Sequence, residues 1–268
     1  MNALDLSLAG TARYLGALAW QNIRAGFALG RMAVVAAVVM FANNLMFFVS
    51  WLIFFENFST LGGWELADIS VMYGIAGWAF GLMLVMAGGV RDIARTIADG
   101  ALDVHLRRPR HPLPSLLFSR SGVSGWGDMA SAPVFWFWFG NLTLADLPLV
   151  LALATAGTVI LTAMMVVIQS AAFWVPKSTG MADDLFNMLV SITVYPQHTH
   201  GFLLRMLLFT ILPAAFISLL PVEALREGAS WKAAATVAAA LVYAWIAALI
   251  FARGLKHYAS GNKFIEVR

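Results

Sequence analysis

The chain contains no cysteine and only five histidines in 268 residues, and Asp, Glu, Lys and Arg together make up just 12% of it. The missing cysteines exclude disulfides, cysteine-ligated zinc, iron–sulfur clusters and cysteine nucleophiles. The scarcity of charge excludes a water-soluble globular domain, where about 25% of residues are charged. No G-x-x-x-x-G-K-[ST] sequence occurs, so the chain cannot cradle a nucleotide phosphate by the P-loop mechanism, and no H-E-x-x-H pair is present to hold a catalytic zinc. No Ser, His and Asp are ordered as a nucleophilic triad.

What is present is apolar. Hydrophobic residues make up 61% and the mean hydropathy is +0.80. The fold class is therefore all-α integral membrane. A bilayer core is crossed by about 20 apolar residues in a helix, so this length accommodates about six spans with short loops. A single membrane domain over residues 1–268 is expected, with no separate soluble domain and no cleaved leader. The net charge of +3 comes from basic residues at span ends. They are not interleaved with aromatics as a nucleic-acid surface requires, and they report topology instead.

Residues 1–31 carry Tyr14, Leu15, Leu18, Ile23 and Phe27 at helical spacing with Arg13 and Arg24 between them. This pattern predicts an interfacial helix against membrane lipid, with Trp20 at headgroup level. Spans are expected at about 32–55, 66–90, 116–142 and 147–174, a short one at 185–195, and the last at 233–252. The third is the least apolar: it carries Arg120, Asp128 and many small residues, and residues 135–139 read as an outer aromatic belt. Residues 175–184 read as a polar turn. Pro196, Pro213 and Pro221 interrupt the stretch that follows.

The positive-inside rule selects among topologies. With six crossings and both termini in the cytoplasm, 13 of the 17 basic residues lie on the inner side. Residues 196–230 then form an outer re-entrant hairpin, because a seventh crossing would place the C-terminal basic residues outside.

The densest charge lies in an inner loop, residues 91–114. Asp92 opens a helix-compatible stretch with Ile93 and Ile97 on one face, and Gly100 is a natural stop. A second short turn follows, ended by Arg107-Arg108-Pro109. Acids at Asp92, Asp99 and Asp103 interleave with Arg91 and Arg95. A short helix with apolar knobs and mixed flanking charge suits docking on a soluble protein, whereas a plain positive-inside anchor would need only the arginines.

Polar residues inside the bilayer are costly and mark function or packing. Asp128 is the strongest candidate; it lies eight residues from Arg120, so the two can share a wet groove without pairing. Asn43 and Asn44 need hydrogen-bond partners in lipid, and pairing between chains accounts for them better than substrate binding. Tyr195 and Arg205 complete a candidate translocation path, with Arg205 read either as a substrate contact or as a cap of the outer hairpin. The pair His198 and His200 could face one metal on an extended strand, but polar residues solvating an outer turn account for them better, and no metal site is assigned.

Three groups of residues carry a family resemblance. The first is Gly63-Trp64-Glu65-Leu66 with Met72-Tyr73-Gly74. The second is Gly100-Ala101-Leu102-Asp103 with Leu106 and Arg108-Pro109. The third is Phe173-Trp174, then Tyr195-Pro196, Leu204-Arg205, Leu212-Pro213-Ala214-Ala215-Phe216 and Pro221. Over roughly residues 30–255 the chain resembles the permease subunits of type-2 ATP-binding-cassette exporters, in the short six-span branch without a fused ATPase.

The resemblance implies a permease that dimerises, with itself or with a second permease. It implies a coupling helix in the loop after the second span, drawing on Arg91, Asp92, Arg95, Gly100, Leu102, Asp103, Leu106, Arg108 and Pro109. It also implies a separate ATPase subunit that binds ATP and Mg, with no cofactor and no catalysis in this chain, and a place in the bacterial cytoplasmic membrane. The extra basic and proline residues at 110–114 depart from the branch's loop. The competing expectation from the residues alone is a secondary transporter or channel that titrates Asp128 and needs no ATPase.

Overall fold

The computed structural model describes residues 8–28, 30–107, 111–175, 179–193 and 213–258, and they are helical with short connections. Helix α1 (Leu8–Phe27) precedes α2 (Arg31–Asn57), which has no charge between Arg31 and Glu56. A tight turn pairs Leu61 with Trp64. The Asp68 carboxylate accepts the Glu65 N–H at 2.9 Å and starts α3 (Leu66–Ala87). A 3-10 turn, Gly88–Asp92, leads into α4 (Ile93–Ala98) and α5 (Leu102–Leu106).

Next come α6 (Pro112–Leu117) and α7 (Gly125–Pro133), the latter continued by a π-helical turn at Val134–Phe139. Helix α8 (Leu147–Ser170) ends in a 3-10 turn, Ala171–Phe173. Helix α9 covers Thr179–Thr193, and a π-helical turn at Ala215–Leu219 runs into α10 (Leu220–Glu227). The last helix, α11, covers Ser230–Leu255.

Helices α3 and α8 form the centre. Ile69, Met72, Ile75 and Met83 of α3 and Val150, Leu153, Ile160 and Met165 of α8 are almost completely buried. Helix α7 packs on α3 and α2, and α11 packs along α8. The close approach of α2 and α7 depends on Gly127, where any Cβ would overlap the Ala37 carbonyl of α2. Small residues permit such backbone contact, which substitutes for the hydrophobic effect between helices in lipid.

Four helical runs are long and apolar enough to cross a membrane: Arg31–Asn57, Leu66–Ala98, Leu147–Phe173 and Ser230–Leu255. They match the first, second, fourth and last spans read from the sequence. The third differs. Instead of one helix over 116–142, the chain breaks between α6 and α7, and the helical run Gly125–Phe139 is about 22 Å long at 1.5 Å per residue. The break has physical causes. The Gly122 N–H donates to the Leu84 carbonyl at 2.8 Å, and Arg120 turns to pair with Asp92 at 2.9 Å.

The aromatic belt is also divided: Phe135 and Trp136 are core residues, and Trp138 is 79% exposed. The polar turn expected over 175–184 gives way to helix from Thr179. Of the expected hairpin at 196–230, residues 196–212 lie outside the described residues. From Ala214 to Glu227 the chain is one continuous helical run. Pro221 does not break it; it sits directly after the π-helical turn, where the hydrogen-bonding pattern changes to that of α10.

Candidate functional site

Two cavities and one charged segment contain the candidate residues. The first cavity, of about 380 Å³, lies between α2, α3, α7, α8, α9 and the π-turn before α10. Its walls are largely apolar and aromatic, with Phe47, Tyr73, Phe80 and Phe135 among them. Asn43, Asn44 and Asp128 all line it.

Asn44 reaches across the α2–α7 contact and donates to Asp128 Oδ1 at 2.8 Å and to Ser131 Oγ at 3.2 Å. Its partners are thus within the chain, not on a second one. The Ser131 hydroxyl donates to the Asp128 carbonyl at 2.7 Å. Asp128 is 2% exposed, and its second carboxylate oxygen, Oδ2, has no hydrogen-bond partner among the described residues. Tyr195 and Arg205, the other expected path residues, lie outside the described residues, as do His198 and His200.

The second cavity, of about 310 Å³, opens beside the inner end of α3 as read from the sequence. It is polar, with Arg91, Asp92, Arg95, Arg120 and Asp183 in its walls. Asp92 pairs with Arg120 at 2.9 Å and with Arg95 at 3.8 Å. Arg120 and Asp128 therefore face different cavities, and each has found another partner.

A pair of rings links residues of the two cavities. Phe80 lines the first and stacks on Phe186 of α9, and the Arg91 guanidinium of the second cavity lies 5.7 Å above the Phe186 ring. A cation over an aromatic face is attracted by the ring quadrupole, at about 0.5–1 kcal/mol when exposed.

The charged segment forms two short helices hinged at Gly100, whose φ of +70° suits glycine and strains other residues. The apolar knobs expected for docking, Ile93 and Ile97, point into the chain and are buried, as is Leu102. A stripe at i,i+4 identifies one apolar face but not what covers it. Among the described residues of the segment the exposed large apolar side chains are Val104 and Leu106, and Arg91 and Arg95 are exposed as well. Asp103 is half-buried beside Tyr258, whose phenol is pushed up to about 12, first by burial and then by the adjacent carboxylate. Arg108 and Pro109 lie outside the described residues.

One residue missing from the sequence reading anchors this segment. Gln169, 1% exposed near the end of α8, accepts the Ala94 N–H of α4 at 3.0 Å through Oε1. A lone glutamine in an apolar span was the available signal. Among the described residues no group of His, Asp and Glu is arranged to hold a metal ion.

Neither curated proteins nor solved structures return a match to this chain. A family model described as ABC-2 family transporter protein matches residues 38–261. That interval holds both cavities, the charged segment and Gln169. The chain thus belongs to the ABC-2 transporter family, as a multi-pass membrane component of an ATP-binding-cassette transporter.

Proposed function

We propose that this chain is an export permease that works as a dimer and is driven by ATP hydrolysis in a separate ATPase subunit docked on residues 91–114. The observation that carries this reading is the seating of the charged segment. Helix α4 is fixed to α8 by the Gln169–Ala94 hydrogen bond, and its Ile93 and Ile97 are sunk into the bundle. A push on its exposed face is therefore delivered to α3 and α8 instead of being absorbed by a loose loop. The exposed face offers Arg91, Arg95, Val104 and Leu106 to a partner.

In this reading the chain crosses a bacterial inner membrane six times with both termini in the cytoplasm. The second span begins at Leu66, and the segment before the last crossing returns to the outer side. The apolar face of α2 supports dimerisation: Val34, Val35, Val38, Val39 and Met46 all stand exposed on this protomer. The cavity holding Asn43, Asn44 and Asp128 is the translocation path, closed toward the ATPase by Phe80 and Phe186. ATP-driven closure of two ATPase subunits moves α4 and α5, shifts Arg91 against Phe186, and opens that closure.

The test is reconstitution with the ATP-binding-cassette ATPase encoded nearest to it. ATPase activity is expected to rise on assembly and to lose that stimulation in Asp103→Ala and Arg108→Ala. Stimulation and export that survive both substitutions would sink the coupling assignment. Uptake or release driven by a proton gradient alone, with no ATPase present, would favour the secondary-transporter reading instead.

A further inference from the structure

We infer that the cavity beside Asp128 binds organic ammonium cations, molecules with an N–H-bearing positive nitrogen on an apolar or aromatic body. This rests on the reading of that cavity as the translocation path and gives the path a substrate class.

Three observations converge. The first is charge: among the described residues of the cavity wall Asp128 is the one acidic side chain, and no Lys, Arg or His is among them. A carboxylate buried in an apolar setting is costly unless a cation or a donor meets it. Asn44 satisfies Oδ1 only, and Oδ2 has no partner among the described residues.

The second is the direction of the neighbouring hydroxyls. Ser191 donates to the Asn187 carbonyl at 2.8 Å and Thr193 to the Leu189 carbonyl at 2.8 Å, so both protons are committed to their own helix. What these two groups offer the cavity is oxygen lone pairs, which accept from an N–H. The third is the wall itself. Tyr73, Phe80 and Phe135 provide ring surface that favours a cation and packs against an apolar body. A volume of about 380 Å³ lies within the range of small-molecule sites.

An anion would meet the Asp128 carboxylate, and a neutral hydroxyl could donate to Oδ2 only without the charge that makes an ammonium donor stronger. An ammonium group brings both the donor and the charge.

The experiment uses the full chain in lipid nanodiscs, without ATPase or nucleotide, and equilibrium dialysis of three probes that share one ring system: 2-(1-naphthyl)ethylammonium, 1-naphthaleneethanol and 1-naphthaleneacetate. Empty nanodiscs set the lipid background. Saturable binding of the ammonium is expected, with the alcohol at least about tenfold weaker, a difference of about 1.4 kcal/mol, and the acetate not saturable. Asp128→Asn should weaken the ammonium at least about tenfold and leave the alcohol unchanged.

Ser191→Lys gives a second variant that keeps Asp128. Ser191 is an exposed position on the cavity wall, so the substitution adds a competing cation without removing buried packing. It should abolish ammonium binding even if Asp128→Asn fails to fold. Equal binding of ammonium and alcohol, or unchanged ammonium binding in Ser191→Lys, overturns the inference. Because no ATPase is present, that failure leaves the coupling reading untouched, and a failed coupling test leaves the binding result standing.

Discussion

Phe80 of α3 and Phe186 of α9 stack with ring centroids 5.8 Å apart and planes inclined by 21°. Phe186 is 2% exposed, and Arg91 covers it from the side of the polar cavity. The pair thus joins a wall of the apolar cavity to a cation of the polar one. The cation that covers the pair belongs to the turn leading into α4.

Removing one ring should join the cavities. Phe186→Ala is expected to raise passive dye leakage from proteoliposomes in the absence of ATP, whereas Phe186→Leu keeps most of the bulk and should leak less. Truncation of a buried Phe typically costs about 3–5 kcal/mol, so thermal unfolding should shift downward in parallel. Leakage equal to wild type in folded Phe186→Ala would show that the pair does not close the path.

Gln169→Leu removes the acceptor of the Ala94 N–H and leaves that buried donor unpaired, at a cost of about 1–3 kcal/mol. Hydrogen exchange at residues 93–98 should accelerate, and partner ATPase activity should persist while export falls. Gln169→Glu retains an acceptor oxygen and should preserve slow exchange. Protection unchanged in the leucine variant would remove Gln169 from the account of coupling.

Gly127→Val places a branched side chain where even a Cβ meets the Ala37 carbonyl. Helices α2 and α7 must then separate, and Asn44 loses reach of Asp128. A lower melting temperature is expected, as overpacking costs about 1–3 kcal/mol. Gly16→Val, at a position where a Cβ meets nothing within 4 Å, provides the control. Equal melting of the two variants would contradict the close packing.

His111 gives the connection between α5 and α6 a dependence on pH. Its Nδ1 accepts the Leu113 N–H at 3.3 Å, and the ring lies 6.2 Å from that of Phe251. Burial lowers its pKa below the ordinary histidine value. The folded state therefore favours the neutral ring. Its contribution is present above the unfolded value of about 6.5 and is lost as pH falls through the lower folded value. Hydrogen exchange at residues 112–117, corrected for intrinsic rates, should be faster at about pH 5 than at about pH 7.5. His111→Asn, which keeps an acceptor but does not titrate, should flatten the difference.

Much of this was legible in the sequence. Long uncharged runs mark the first, second, fourth and last spans because length and apolarity suffice for crossing. Asp92 and Gly100 bound α4 through local backbone chemistry. Asn44 and Asp128 each stand out as polar residues in apolar surroundings, but their pairing spans 84 positions and depends on Gly127 allowing two helices to touch. The inward turn of Ile93 and Ile97 was not legible, since periodicity defines a face and not its neighbour. The Phe80–Phe186 stack carries no signal either, because aromatics in apolar runs are ordinary. The break at 118–124 comes from tertiary bonds to Leu84 and Asp92 that no local pattern announces.

Helix α3 is fastened at both ends. At its start, Arg226 of α10 bonds the Gly63 carbonyl at 2.9 Å, before the helix, and pairs with Asp68 in its first turn at 3.3 Å. Beyond its finish, Asp92 holds Arg120. Phe80 and Tyr73 lie on the rod between these fastenings. A member clamped in this way is built like a torsion bar, with everything mounted along its length set to turn by a share of any twist at one clamp. Under the coupling proposed for the charged segment, its movement would reach the far end of the bundle through this one helix.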